Sequence, residues 1–392
     1  MLLMVAIACT VLLSIFLNQR FKMLRYANGA QVRRFSSLPI HYSYCFILWS
    51  LIFVALVAFA GFKDIFQYIF IASFLLINFF IIKKLYNQGF AAKNHLEKFT
   101  SFAMFLTALI GILITIAITL SIFFEAIKFF KITPFFDFIF GLKWNPQMAV
   151  HAEQSVTESH FGVVPVLLGT LLITAVAMLI SIPIGILAAI YLGFYAKSKI
   201  RDYLKPILEI LAGVPTVVYG YFAVSMVAPF FKNNFALVGV DIASESALAA
   251  GFVMGIMIIP FVLSLVDDAL NSVPQALKDA ALALGSTKSE MIKKVVMIAA
   301  MPSVIGAVIL AFSRAIGETM IVVMAAGLVA NLTINPLDSV TTATAQIVTL
   351  LVGDQEFDSP KTLAAFALAL VLFVMTFIFN IVALVVMKKY KK

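Results

Sequence analysis

Two ionisable residues stand where few are expected. Arg314 and Glu318 lie four apart in an apolar run, Ser313-Arg314-Ala315-Ile316-Gly317-Glu318-Thr319-Met320. At the helical rise, Arg314 is roughly 16 Å beyond Ser303, where the run begins. An arginine at such depth costs at least about 2.5–3.5 kcal/mol on insertion scales, so intramembrane charges are candidates for function. On a continuous helix, residues four apart share a face, which predicts an Arg314–Glu318 pair, with Gly317 keeping that face accessible. The planar guanidinium fork suits a tetrahedral oxyanion. Glu318 would hold Arg314 in place when the anion is absent, or repel anions until displaced. The plainer reading of the same pair is a structural bridge between helices.

Other chemistry is sparse. His41, His95, His151 and His160 are scattered without metal-ligand spacing, and Cys9 and Cys45 sit inside apolar runs; neither set predicts a metal site or a disulfide framework. The sequence has no Gly-x-x-x-x-Gly-Lys-Ser/Thr loop, so this chain is expected not to hydrolyse ATP and not to be an enzyme. No bound cofactor is expected.

The elements that position Arg314 follow from composition. Of 392 residues, 63% are hydrophobic and 12% charged, more apolar surface than a soluble chain can hide. Nine runs are long enough to cross a bilayer: 1–18, 42–62, 65–82, 102–124, 165–193, 207–230, 247–266, 303–329 and 362–387. The first lacks a basic n-region, since no Lys or Arg precedes Arg20, and reads as a true span rather than a signal peptide. With the N-terminus outside and the C-terminus inside, 21 of the 28 basic residues fall in inside segments and 6 in outside ones. That asymmetry orients the spans. It also spreads the net charge of +9 over one membrane face, which argues against nucleic acid as a partner.

Residues 1–101, with three spans, carry no polar constellation within a span; Asn78 is the best polar candidate and reads as a helix–helix contact. Residues 102–392 form a six-span unit. Its first outside loop holds Phe135-Phe136-Asp137-Phe138-Ile139-Phe140-Gly141-Leu142-Lys143-Trp144-Asn145-Pro146, which fits either an amphipathic stretch at the interface or a plain aromatic belt. Ser181-Ile182-Pro183-Ile184-Gly185 and Ala212-Gly213-Val214-Pro215-Thr216 place helix breakers inside apolar runs. Such breaks are tolerated where neighbours or a cavity satisfy the freed backbone, and the small residues also allow close packing.

The inside loop at 267–302 has its own pattern. Ser272 with Gln275 predicts a capping box and Pro274 suits a first turn. Leu277, Ala280, Ala281 and Leu284 recur on one helical face, and Gly285 is a natural stop. Thr287 with Glu290 predicts a second cap. A short amphipathic helix tied between two spans could dock in a groove on a soluble partner; an ordinary surface helix fits the pattern equally.

Asp279-Ala280-Ala281-Leu282-Ala283-Leu284-Gly285 resembles the Glu-Ala-Ala, three residues, Gly loop of ABC importer permeases, with Asp279 for the usual Glu. The proline expected further on is missing at Val295-Val296-Met297-Ile298, and Met301-Pro302 comes later. Arg314-Ala315-Ile316-Gly317-Glu318-Thr319-Met320 is similar to the Arg-Ala-Leu-Gly-Glu-Thr-Met stretch of phosphate importer permeases of the PstC type. Glu209-Ile210-Leu211-Ala212-Gly213-Val214-Pro215-Thr216-Val217-Val218-Tyr219-Gly220 and Trp144-Asn145-Pro146 agree with the same family. The resemblance covers 102–392 and not 1–101.

The resemblance implies an all-α polytopic protein of the bacterial inner membrane with a six-span, type I ABC importer permease core, here preceded by the three extra spans that hydropathy predicts. It implies a substrate path through Arg314, Glu318 and Thr319, and ATPase coupling through Asp279, Ala280, Ala281 and Gly285. The implied partners are a related permease of the PstA type, two copies of an ATPase that uses ATP, and a periplasmic phosphate-binding protein, with inorganic phosphate as substrate and lipid around the spans. Sulfate or molybdate could replace phosphate. A secondary anion transporter is a rival of another class, but no inverted repeat is found. A membrane anchor or sensor without transport would leave the intramembrane charges unexplained.

Overall fold

A long apolar run in lipid folds as a helix because only internal hydrogen bonds satisfy its backbone. The computed structural model describes residues 92–146, 160–237, 239–352 and 359–390, with 15, 19, 42, 44–47, 50 and 77–82. Among these, five helices are long and apolar enough to cross a membrane, or six if one sharply bent pair is counted as a span. The runs predicted at 1–18, 42–62 and 65–82 lie largely outside the described residues. The chain divides into two compact units, Met1–Ala117 and Ile118–Lys392. Within the first, the buried Asn78 amide donates to Ser50 Oγ at 2.8 Å and to the Phe46 carbonyl at 3.3 Å, the helix–helix contact expected of it.

The boundary falls inside helix α1 (Ala92–Ile132). There follow α2 (Phe135–Phe140), a two-residue antiparallel pair of β1 (Trp144–Asn145) with β2 (His160–Phe161), and α3 (Val164–Ile190), which runs on through a π-helical turn at Tyr191–Tyr195. Next come α4 (Ser198–Ala212), α5 (Thr216–Phe222), a π turn at Ala223–Val227 and α6 (Ala228–Ala236). Then α7 (Ala247–Asn271), α8 (Gln275–Ala283) and α9 (Lys288–Glu290) lead through a π turn at Met291–Val296 into α10 (Met297–Ile316). Short helices α11 (Met320–Ala325) and α12 (Ala343–Leu351) precede α13 (Pro360–Tyr390).

Two predicted spans are not single helices. The run at 207–230 is α4 joined to α5–α6 at a bend of 86°. Gly213 closes α4, and Pro215, which donates no backbone hydrogen bond, precedes α5. The run at 303–329 ends as a helix at Ile316; Gly317 and Glu318 divide α10 from α11. The loop predicted at 330–361 contains α12, packed on α13.

The core sits where α3 crosses α7. Their backbones approach closely because Gly251 and Gly255 face α3: a Cβ on Gly251 would stand 2.7 Å from Val176 Cγ1, and one on Gly255 3.0 Å from the Ala177 carbonyl. In lipid, such small-residue contacts replace the hydrophobic drive that water supplies elsewhere. A second cluster joins the end of α1 to α2, β1, β2, α12 and α13 through Phe129, Phe138, Trp144, Phe161, Leu350 and Leu368. The aromatic loop thus divides its residues: Phe138 and Trp144 are buried, whereas Phe136 and Phe140 stack on each other in the open. A leucine at Gly255 must push α7 off α3. We expect Gly255→Leu to cost about 1–3 kcal/mol, as overpacked cores do, seen as a lower melting temperature of the purified protein in detergent.

Candidate functional site

Arg314 occupies the last turn of α10. Its side chain is exposed, and its guanidinium carbon lies 5.3 Å from the Phe261 ring centroid on α7, within cation–π range. The predicted pair with Glu318 does not form: among the described residues no ion pair joins them. The four-residue spacing required a helix that continues, and α10 stops between the two. Glu318 is instead 9% exposed; its Oε1 accepts the Met320 backbone N–H at 3.2 Å, and its carbonyl accepts the Thr344 hydroxyl at 2.9 Å. The acid therefore caps the start of α11 and anchors the break. Thr319 lies in that break, its hydroxyl 3.4 Å from the Gly317 carbonyl. One cation is left open on the α10–α7 side and one carboxylate is turned inward.

A polar clasp stands beyond the break. Gln346 accepts from Trp144 Nε1 at 2.9 Å and donates to the Leu328 carbonyl at 2.7 Å and Thr341 Oγ1 at 3.2 Å. Ser339 Oγ donates to the Ala326 carbonyl, and Asn331 Nδ2 to the Ser339 carbonyl. Sequence reasoning did not single out Gln346. A lone amide in an apolar helix opposite an indole was its only signal.

At the basic face, α8 realises the predicted short helix and Gly285 its stop, at φ +85°. The Thr287–Glu290 capping box is present. The Ser272–Gln275 box is not: the Ser272 hydroxyl donates to the Ala269 carbonyl at 2.7 Å, and Gln275 donates to Asp279 Oδ1 at 2.9 Å. Ser272 is drawn back because it is still the C-cap of α7. The predicted apolar face also divides. Ala281 is buried, while Leu277, Ala280 and Leu284 are exposed, Leu284 at 87%. What holds α8 is Val273, Ala281 and the buried Lys278, whose Nζ lies 5.4 Å from the Phe194 ring centroid. Lys288 sits likewise over Tyr195, at 5.2 Å. The π turn after α3 thus cradles the loop.

Sequence reasoning also passed over Asp267, which it placed in a loop. This side chain is 2% exposed at the end of α7. Arg201 Nη2 donates to both its oxygens at 3.1 and 2.9 Å, Lys205 Nζ donates at 3.1 Å, and Asn271 Nδ2 at 2.9 Å.

Five or six apolar helices, one of them sharply bent and another stopped beside an exposed arginine, make this a multi-pass membrane protein. Residues 181–392 match the family described as binding-protein-dependent transport system inner membrane component, and the chain belongs to that family. A probable ABC transporter permease of Bacillus subtilis, YqgH, is 32% identical over 277 residues, 69% of this chain and 84% of that protein. The phosphate transport system permease protein PstC of Mesorhizobium japonicum is 32% identical over 266 residues, 63% of this chain and 77% of that protein. A chain of the bacterial alginate ABC transporter crystallised with its alginate-bound periplasmic protein shares the fold at 16% identity, with a TM-score of 0.50 over 74% of this chain and 94% of that one. The protein is a permease subunit of an ABC importer, and ATP hydrolysis resides in a separate subunit.

Replacing Gln346 by Leu removes the partners of the buried Trp144 N–H and of the buried Thr341 hydroxyl. We expect a loss of about 1–3 kcal/mol, with Trp144→Phe less costly in the Gln346→Leu background than alone, in thermal unfolding of the single and double variants.

Proposed function

We propose that this permease carries inorganic phosphate, as half of a translocation path completed by a PstA-type permease. The observation that carries the reading is Arg314: an open guanidinium at the end of a membrane helix, with no carboxylate paired to it among the described residues. Its fork matches two oxygens of a tetrahedral anion. Permeases whose names specify phosphate are about 30% identical to this chain, which supports phosphate over sulfate or molybdate. Glu318 and Thr319 act at the same break, Glu318 by fixing where α10 stops.

In this mechanism α8 is the coupling helix. Asp279, Ala280, Ala281 and Gly285 shape it, and Leu277 and Leu284 present an apolar surface for one of two ATPase copies. A periplasmic phosphate-binding protein delivers the anion. The chain works in a bacterial inner membrane with nine spans, N-terminus outside and C-terminus inside; residues 1–101 form an appended three-span module, and no cofactor binds here.

Labelled phosphate uptake, with sulfate and molybdate as competitors, tests the site. Removal of a charged hydrogen-bonding group at Arg314→Ala is expected to cut uptake about 10- to 100-fold at normal membrane expression. Unchanged uptake would leave Arg314 a structural role, and preferred uptake of another oxyanion would remove phosphate. For docking, Leu284→Asp places a charge in an apolar contact, and co-purification of the ATPase is expected to fall at least about tenfold.

A further inference from the structure

We propose that Asp267 is a positioning residue for coupling: it ties α4 to the end of α7, so that displacement of α8 is carried across the Gly213–Pro215 break into α5. The inference rests on α8 being the helix that meets the ATPase.

The knot lies at a junction of two short connections. On one side α7 ends at Asn271, itself bonded to Asp267, and only Ser272, Val273 and Pro274 separate it from α8. Val273 is buried, which leaves this link little freedom. On the other side Arg201 and Lys205 belong to α4. No residue of α4 is buried, and of its side chains only Leu208 packs against the core cluster. Packing therefore holds α4 weakly, and its charged links to α7 run to the buried Asp267, with Lys205 Nζ also 3.7 Å from the exposed Asp268.

A buried ion pair is poor evidence for stability, because desolvation offsets much of its attraction; what it fixes is geometry. Here it fixes the arm of an 86° bend. Across that bend Tyr219 of α5 donates to the Leu211 carbonyl of α4 at 3.0 Å. Beyond Tyr219, Gly220 faces α11 so closely that a Cβ there would stand 3.2 Å from the Met320 carbonyl. A continuous set of contacts thus runs from α8 through Asn271 and Asp267 to α4, α5 and the residue that Glu318 caps. Coupling of this kind needs contiguous contacts that shift as a unit.

The test uses the complete transporter in proteoliposomes, with Cys9 and Cys45 changed to Ser and Val218→Cys, an exposed position on α5, as reporter. Maleimide labelling is timed with and without ATP, and ATP hydrolysis is measured in the same vesicles. No substrate is needed, so the result does not depend on which anion is carried. With Asp267 intact, ATP is expected to change the labelling rate at least about fivefold. Asp267→Asn should lose that response while hydrolysis stays within about threefold, and Asp267→Glu should restore it. A response retained in Asp267→Asn, or one lost only in proportion to hydrolysis, overturns the proposal. If Asp267→Asn does not assemble, Arg201→Gln decides, because it keeps the carboxylate and Lys205; a response unchanged there also overturns it. The docking reading fails separately, if the ATPase still co-purifies with the Leu284→Asp protein.

Discussion

A backbone group freed inside a bilayer has no water to turn to, and the chain must supply its partner from a side chain. The architecture of this permease follows from where that supply exists. At the end of α10 the Glu318 carboxylate takes the Met320 N–H and Thr344 takes the Glu318 carbonyl. Across the α4–α5 bend the Tyr219 hydroxyl takes the Leu211 carbonyl. In the irregular stretch after α11, Ser339, Asn331 and Gln346 bond main-chain carbonyls in turn. Both proposed working parts, the open arginine and the bent arm, lie beside such donors and acceptors.

The same constraint explains what could be read in the sequence. Hydropathy located the bodies of α3, α7 and α13 closely, because a long apolar run in lipid has one outcome. Gly285 and the Thr287–Glu290 box were legible because capping is local chemistry. The breaks were harder. Gly213 and Pro215 signalled one, yet nothing adjacent to Gly317 marks a stop as firmly as proline does. Thr344, which bonds the Glu318 carbonyl in that break, is 26 positions beyond Glu318. The Arg314–Glu318 pair failed for the same reason, since a four-residue spacing means contact only while the helix lasts. Asp267 was invisible because its cationic partners stand 62 and 66 positions away, and because a hydropathy window counts an acid near a helix end as loop.

The loop at 267–302 shows a short helix with an unusual division of its side chains. Its lysine is turned inward over an aromatic ring and its leucines outward. A soluble surface helix would favour the reverse. The inversion leaves Val273 and Ala281 as the apolar anchors of the loop and keeps Leu277 and Leu284 exposed, the surface that the proposed docking would use.

Arg314 stands at the carbonyl end of its helix, where the aligned peptide dipoles amount to about half a negative charge. The same dipoles that favour the guanidinium also dilute the field it projects. On the reading proposed above, an anion arriving there meets a cation already partly answered by its own helix and by the face of Phe261. Such a site attracts without trapping. A conduit needs that compromise, since a residence time long enough to select and short enough to release is what separates passage from storage.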